Sequence, residues 1–198
     1  MKINSRHVAI FFALILLSVG FGVAFDAVAT AIERHQYPID EELAPAVAAQ
    51  AEAHDIPEPI LWAVLHTGSG FASNAVSDDG RIGLMQLTPA TFEFICVSLT
   101  GGEKKDAGLL YDPQTNLTAG CTYLAYLYEY YGIWDHAHLA FCVGTETVDA
   151  WLADPANLNA QGRLAVIPDP AAEAYLQAVG DAVEHYSQLY YPEKELLK

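Results

Sequence analysis

Positive charge is scarce in this sequence. Against 25 Asp and Glu stand 9 Lys and Arg in 198 residues, for a formal charge of −16. Nucleic-acid binding needs a basic face, so this balance excludes that partner. Cysteine is scarce as well. The 3 cysteines, Cys96, Cys121 and Cys142, are too few for a disulfide scaffold, and no two are spaced C-x-x-C as a zinc or thioredoxin-like motif would require. In an oxidising compartment one pair among them can join and leave a free thiol, with the pairing open; the other reading is three small buried apolar residues. With 14 Gly and 10 Pro the chain is neither collagenous nor of low complexity. It has no internal repeat and no alternating strand pattern. What it has is apolar bulk: 53% hydrophobic and 11% aromatic residues, with only 17% charged. That is too apolar for a disordered chain and ample for a buried core. The length fits one domain with a short appendage.

The appendage is at the N-terminus. Lys2, Arg6 and His7 precede an uncharged run from Val8 to Phe25. At about 1.5 Å per residue, such a helix nearly crosses a hydrocarbon core of roughly 30 Å. Basic residues before the run and acids such as Asp26 and Glu33 after it orient the remainder to the extracytoplasmic side. Two readings stay open: a retained membrane anchor, which the length of the run favours, or a cleavable signal with Ala27-Val28-Ala29 or Ala29-Thr30-Ala31 as the processing site. The expected organisation is an anchor or signal over 1–25, a linker over 26–39, a helical domain over 40–190 and a tail over 191–198.

Within the domain the spacing predicts helices throughout, an all-α class. A first helix is expected over Glu41–His54 with Pro45 in its first turns, and a second restarts at Pro57-Glu58. Ile60, Leu61, Val64 and Leu65 give the second helix its buried face, and Thr67-Gly68-Ser69-Gly70 ends it. A loop follows from Ala72 to Gly83. Thr88-Pro89 and Asp112-Pro113 each read as an N-cap followed by proline at the first helical position, starting helices that run to about Leu99 and to Tyr131-Gly132. Shorter helices are expected over His136–Phe141 and Glu146–Leu152, and a long one from Ala171 to about Tyr190. In the Tyr-rich helix, Tyr123, Leu124, Leu127 and Tyr131 keep core spacing. Tyr126 and Tyr130 fall nearer the other face. Trp62, Trp134 and Trp151 read as packing residues. Asn116-Leu117-Thr118 matches a glycosylation pattern but lies inside a helix start, which marks it as structural.

Residues 60–86 read ILWAVLHTGSGFASNAVSDDGRIGLMQ. Here Ser69, Phe71, Asn74, Ser77 and Gly80, then Gly83-Leu84-Met85-Gln86, fall in order and spacing. This segment closely resembles the first motifs of the lytic transglycosylase catalytic domain, the soluble type with a goose-lysozyme-like fold. Downstream, Thr88-Pro89-Ala90-Thr91-Phe92, Asp112-Pro113 with Asn116-Leu117, Gly120 and Tyr123-Leu124, Ala140-Phe141-Cys142-Val143-Gly144 with Trp151, Ile167-Pro168 and Tyr175-Leu176 continue the pattern. The resemblance covers about residues 40–185. It implies an all-α, lysozyme-like domain that cleaves the β-1,4 bond between N-acetylmuramic acid and N-acetylglucosamine in peptidoglycan. In that chemistry one Glu protonates the glycosidic oxygen, then serves as base while the muramyl C6 hydroxyl closes a 1,6-anhydro ring. Most glycosidases divide such work between two carboxylates. The resemblance implies no metal or cofactor. It names Ser69, Gln86, Cys142 and Tyr175 as residues facing the glycan.

The family's catalytic Glu is Gly68 here, its Asn in Ala-Tyr-Asn is Cys142, and its Glu before Thr in the last motif is Ala171. Glycine can neither hold nor deliver a proton. General acid–base catalysis contributes typically about 10²–10⁴-fold. The expectation is therefore a degenerate domain that binds glycan strands or an envelope protein without cutting. A second reading keeps catalysis through a displaced carboxylate, with Glu146 the leading candidate over Asp78, Asp79 and Glu173. A third makes the domain a protein–protein module. His66, two residues before Gly68, points about 200° away on a helix, off the cleft.

Overall fold

A computed structural model describes residues 21–192 except positions 23 and 26. The chain divides after Pro38 into two units. In the first, the described positions from 21 to 36 are helical. No helix among the described residues is long and apolar enough to cross a membrane. The Val8–Phe25 run lies mostly outside the described residues, as does most of the 191–198 tail.

The second unit is all-helical: α1 (Ala44–His54), α2 (Glu58–Ser69), α3 (Pro89–Phe94), α4 (Pro113–Tyr131), α5 (Trp134–Val143), α6 (Thr145–Leu152) and α7 (Pro170–Tyr190). The described residues carry only isolated antiparallel bridges, such as Val76 with Ile82 and Ile82 with Leu87, which pin the loop between α2 and α3. The central element is α2. From Pro59 to Leu65 every residue is buried, the pattern of a helix enclosed on all sides. It packs against α7 and α1, while α4 packs against α1 and α5.

The cap-plus-proline signals hold. Thr88 Oγ1 accepts from the Thr91 amide at 3.0 Å, and Asp112 Oδ2 accepts from the Thr115 amide at 2.8 Å. Asp169-Pro170 uses the same device at α7, with Asp169 Oδ1 accepting from Ala171 N at 2.8 Å. Two boundaries differ from expectation. Helix α1 begins at Ala44 because Asp40 Oδ1 accepts from the amides of Glu42 and Leu43, closing a turn before the helix. The helix from Pro89 widens after Phe94 into a π segment, Ile95–Leu99, closed by Thr100 N donating to Ile95 O at 3.0 Å. Cys96 and Cys121 are buried, Cys142 is half-buried, and all three are free thiols.

Asn116 locks the segment before α3. It is fully buried. Its Oδ1 accepts from Met85 N at 2.8 Å, and its Nδ2 donates to Ile82 O at 2.8 Å and Leu110 O at 2.9 Å. Two glycines permit this packing. At Gly83, with φ +79°, a Cβ would collide with the Asn116 amide and the Leu110 carbonyl; at Gly120 it would collide with the Met85 side chain. The Gly-Leu-Met-Gln block is thus held by Asn116 and Gly120 of α4, which is why those residues recur as one pattern in the sequence.

Candidate functional site

A cavity of about 200 Å³ opens at the end of α2. Its walls are Val64, Thr67 and Gly68 of α2, Ser77, Arg81, Met85 and Gln86 of the following loop, Phe141 and Cys142 of α5, and Tyr175 of α7. Gly68, Gln86, Cys142 and Tyr175 therefore converge as the resemblance implies. Ser69 does not line this cavity; its hydroxyl donates back to Leu65 O at 3.3 Å within α2.

Packing does not demand glycine at position 68. A Cβ there would meet Gln86 Cγ at 3.5 Å and the Leu84 carbonyl oxygen at 3.9 Å, ordinary van der Waals contacts. Position 68 has room for a side chain and lacks one. Gln86 sits in left-handed backbone, φ +52°, a conformation that costs a non-glycine residue of order 1–3 kcal/mol. Its Nε2 donates to Gly83 O at 2.8 Å and Ala75 O at 3.4 Å, fixing the side chain across the loop.

Arg81 spans the cavity from loop to helix. Its Nη1 donates to Phe141 O at 3.4 Å and its Nη2 donates to Cys142 O. These carbonyls sit at the C-terminal end of α5, where intrahelical donors run out and a cation is favoured. Arg81 Nε donates to Asp79 Oδ2 at 2.7 Å, and Asp79 also accepts from the Ser77 hydroxyl. The Ser77 hydrogen bond and the Arg81 guanidinium hold the Asp79 carboxyl below the ordinary Asp range. Burial pushes the Cys142 thiol up, with Asp169 and Asp79 adding to the rise and Arg81 opposing it. Burial, reinforced by Cys142, likewise raises the Tyr175 hydroxyl against the pull of Arg81. Neither group supplies an ionised nucleophile at neutral pH.

No Asp or Glu lines this cavity. Glu146, on the first turn of α6, is exposed and lines a separate groove of about 500 Å³. That groove also takes Phe94, Tyr123, Tyr126 and the 143–147 turn. Phe141 on the cavity wall packs on Tyr123 at 5.7 Å. Phe94 meets Tyr126 at 5.7 Å, and Tyr130 continues the row at 6.3 Å from Tyr126. Asp78, Asp79, Ala171 and Glu173 are exposed. His66 is half-buried between Phe71 and Tyr186, at 5.9 and 6.0 Å, off the cavity as its helical angle requires. Trp62 is buried and its Nε1 donates to the Tyr191 hydroxyl at 3.0 Å; Trp134 stacks on Tyr128 at 4.0 Å. Among the described residues no cluster of His, Cys, Asp and Glu is arranged to hold a metal.

Sequence reasoning did not single out Thr67 or Arg81 as cavity residues. For Arg81 a signal existed: it is one of 9 basic residues and lies between Gly80 and Gly83, in the loop whose other motif positions were matched.

Comparison with known proteins agrees with this geometry. The soluble lytic murein transglycosylase of Escherichia coli K12 is 29% identical over 129 residues, which cover 63% of this chain and 20% of that protein. A membrane-bound lytic murein transglycosylase C of Haemophilus influenzae is 33% identical over 88 residues, covering 44% of this chain and 25% of the relative. The chain thus spans a quarter or less of the length of these relatives. In fold, the 70-kDa soluble lytic transglycosylase of E. coli superposes with a TM-score of 0.74 at 23% identity, over 84% of this chain and 27% of that one. A lytic transglycosylase of Pseudomonas aeruginosa superposes with a TM-score of 0.69 at 23% identity, over 82% and 26%. The family model described as the transglycosylase SLT domain matches residues 45–163, from α1 through the turn before α7, and the chain belongs to that family.

Proposed function

We propose that this domain binds peptidoglycan glycan strands without cutting them. One observation carries the reading: the cavity at the family's acid position has a glycine in place of the Glu and no other carboxylate on its walls. The lytic reaction requires a proton at the glycosidic oxygen and a base at the C6 hydroxyl, and the cavity walls offer no group ionised suitably for either. What supports retained binding is the frame around the vacancy. Gln86 keeps a strained backbone and a fixed amide. The adjoining groove presents Phe94, Tyr123 and Tyr126, aromatic faces of the kind that pack against sugar rings.

Catalysis through Glu146 is the competing reading. It requires an exposed acid in the neighbouring groove to reach a bond held at the Gly68 cavity. We place the domain on the extracytoplasmic side of the cell membrane, anchored through residues 8–25 or released from them, as the charge asymmetry around that run favours.

Co-sedimentation with purified sacculi tests the binding. The protein is expected to pellet with sacculi, and Tyr126→Ala to weaken retention by about tenfold, the loss of one stacked aromatic face. A protein that stays in the supernatant, while remaining folded, points instead to the envelope-protein module.

A further inference from the structure

We propose that the cavity beside Gly68 is a binding site for a small aliphatic carboxylate, held at its charged end by Arg81 and the Tyr175 hydroxyl and at its apolar end by Val64, Met85 and Phe141. The donor count supports this. A guanidinium offers five N–H groups. Three of them serve Asp79, Phe141 and Cys142, which leaves one on each terminal nitrogen. Tyr175 lines the same cavity, and its hydroxyl has no hydrogen-bond partner among the described residues. Facing these donors, the walls carry no Asp or Glu. Asp79, which pairs with Arg81, is mostly exposed, 59% against 24% for the Arg81 side chain, and engages only Nε, and Asp169, whose charge reaches Cys142, does not line the cavity.

The space matches as well. Gly68 contributes no side chain, and the remaining 200 Å³ equals several waters at roughly 30 Å³ each. Val64, Met85 and Phe141 are all buried, which gives a methyl or short alkyl group an apolar surface. A carboxylate brings two acceptor oxygens and a full negative charge to the remaining N–H groups and the Tyr175 hydroxyl, which a water or a neutral hydroxyl does not match. The chemistry is that of acetate or lactate. The same group is carried by free short-chain acids and by the lactyl arm of an unsubstituted muramic acid. The site does not depend on the glycan-binding reading: failed sedimentation leaves it standing, and a failed acetate titration leaves that reading standing.

Acetate titration of the full chain, followed by calorimetry and by the Arg81 Nε–H resonance, is the test. Saturable binding near 1 mM is expected, within the reach of a four-heavy-atom ligand at roughly 1 kcal/mol per atom. Tyr175→Phe weakens acetate about tenfold, the effect of one hydrogen bond to a charged group. Gly68→Glu places a tethered carboxylate in the same space and removes acetate binding. Where Gly68→Glu does not fold, Tyr175→Phe decides. N-acetylmuramic acid that binds more tightly than acetate, with its amide inactive, identifies the lactyl arm as the source; equal affinities identify free acids. No saturable binding up to about 50 mM, or equal acetate affinity in wild type and Tyr175→Phe, overturns the site.

Discussion

Asn116→Ala lowers the unfolding free energy by about 4 kcal/mol, enough to leave a domain of ordinary stability barely folded. The side chain is fully buried and makes three hydrogen bonds, to Met85 N, Ile82 O and Leu110 O. Removing it strands the Met85 N–H and the Leu110 carbonyl away from water, while Ile82 O keeps its bond from Leu87 N at 3.1 Å. Each stranded group costs about 1–3 kcal/mol, and the vacated volume adds to the loss. The effect extends to the cavity, because these bonds fix Met85 and, next to it, Gln86. Asn116→Asp does not rescue the fold: it keeps an acceptor for Met85 but sets a carboxylate against two carbonyl oxygens. Urea denaturation measures the difference, and a loss below about 1 kcal/mol for Asn116→Ala contradicts the assigned role.

The second large effect is acid lability centred on His138. Its ring is buried in α5, its Nδ1 has no hydrogen-bond partner among the described residues, and it stacks on Trp134 at 5.8 Å. Burial lowers its pKa from 6.5 to about 4. The neutral ring is the folded form, so the unfolded chain binds the extra proton between these two values. Stability is fully present above pH 6.5 and falls as the pH drops toward 4, by about 3 kcal/mol over that window at 1.36 kcal/mol per pH unit. His54, His66 and His136 are shifted the same way by burial and add to the slope in the same direction. His138→Phe keeps the ring volume and removes the titration. Urea midpoints from pH 7 to pH 4 are expected to fall more steeply in the wild type than in this variant; parallel profiles contradict the assignment.

Much of the fold was legible because its helix starts are written in local chemistry. Thr88-Pro89 and Asp112-Pro113 announce α3 and α4 through a side-chain oxygen and a ring that needs no N–H donor. The π segment Ile95–Leu99 was not legible, since its five-residue hydrogen-bond register leaves no mark in hydrophobic spacing. Asp40 read only as the first residue of the domain, yet its carboxylate closes a turn that delays α1 to Ala44. At the site, Gly68, Gln86, Cys142 and Tyr175 met as the motif order implied. Ser69 did not join them, because its hydroxyl serves its own helix. Arg81 escaped notice because the loop's rotation, set by Asn116 and Gly83, decides that its guanidinium crosses to the end of α5.

The proposed function requires a cleft that holds glycan and lacks the acid that would cut it. Digestion of purified sacculi with the wild-type protein, analysed for 1,6-anhydromuropeptides by mass spectrometry, tests binding without cleavage. We expect the protein bound to sacculi and no anhydro product above the buffer control. Anhydro product that appears with wild type and disappears with Glu146→Gln would contradict it.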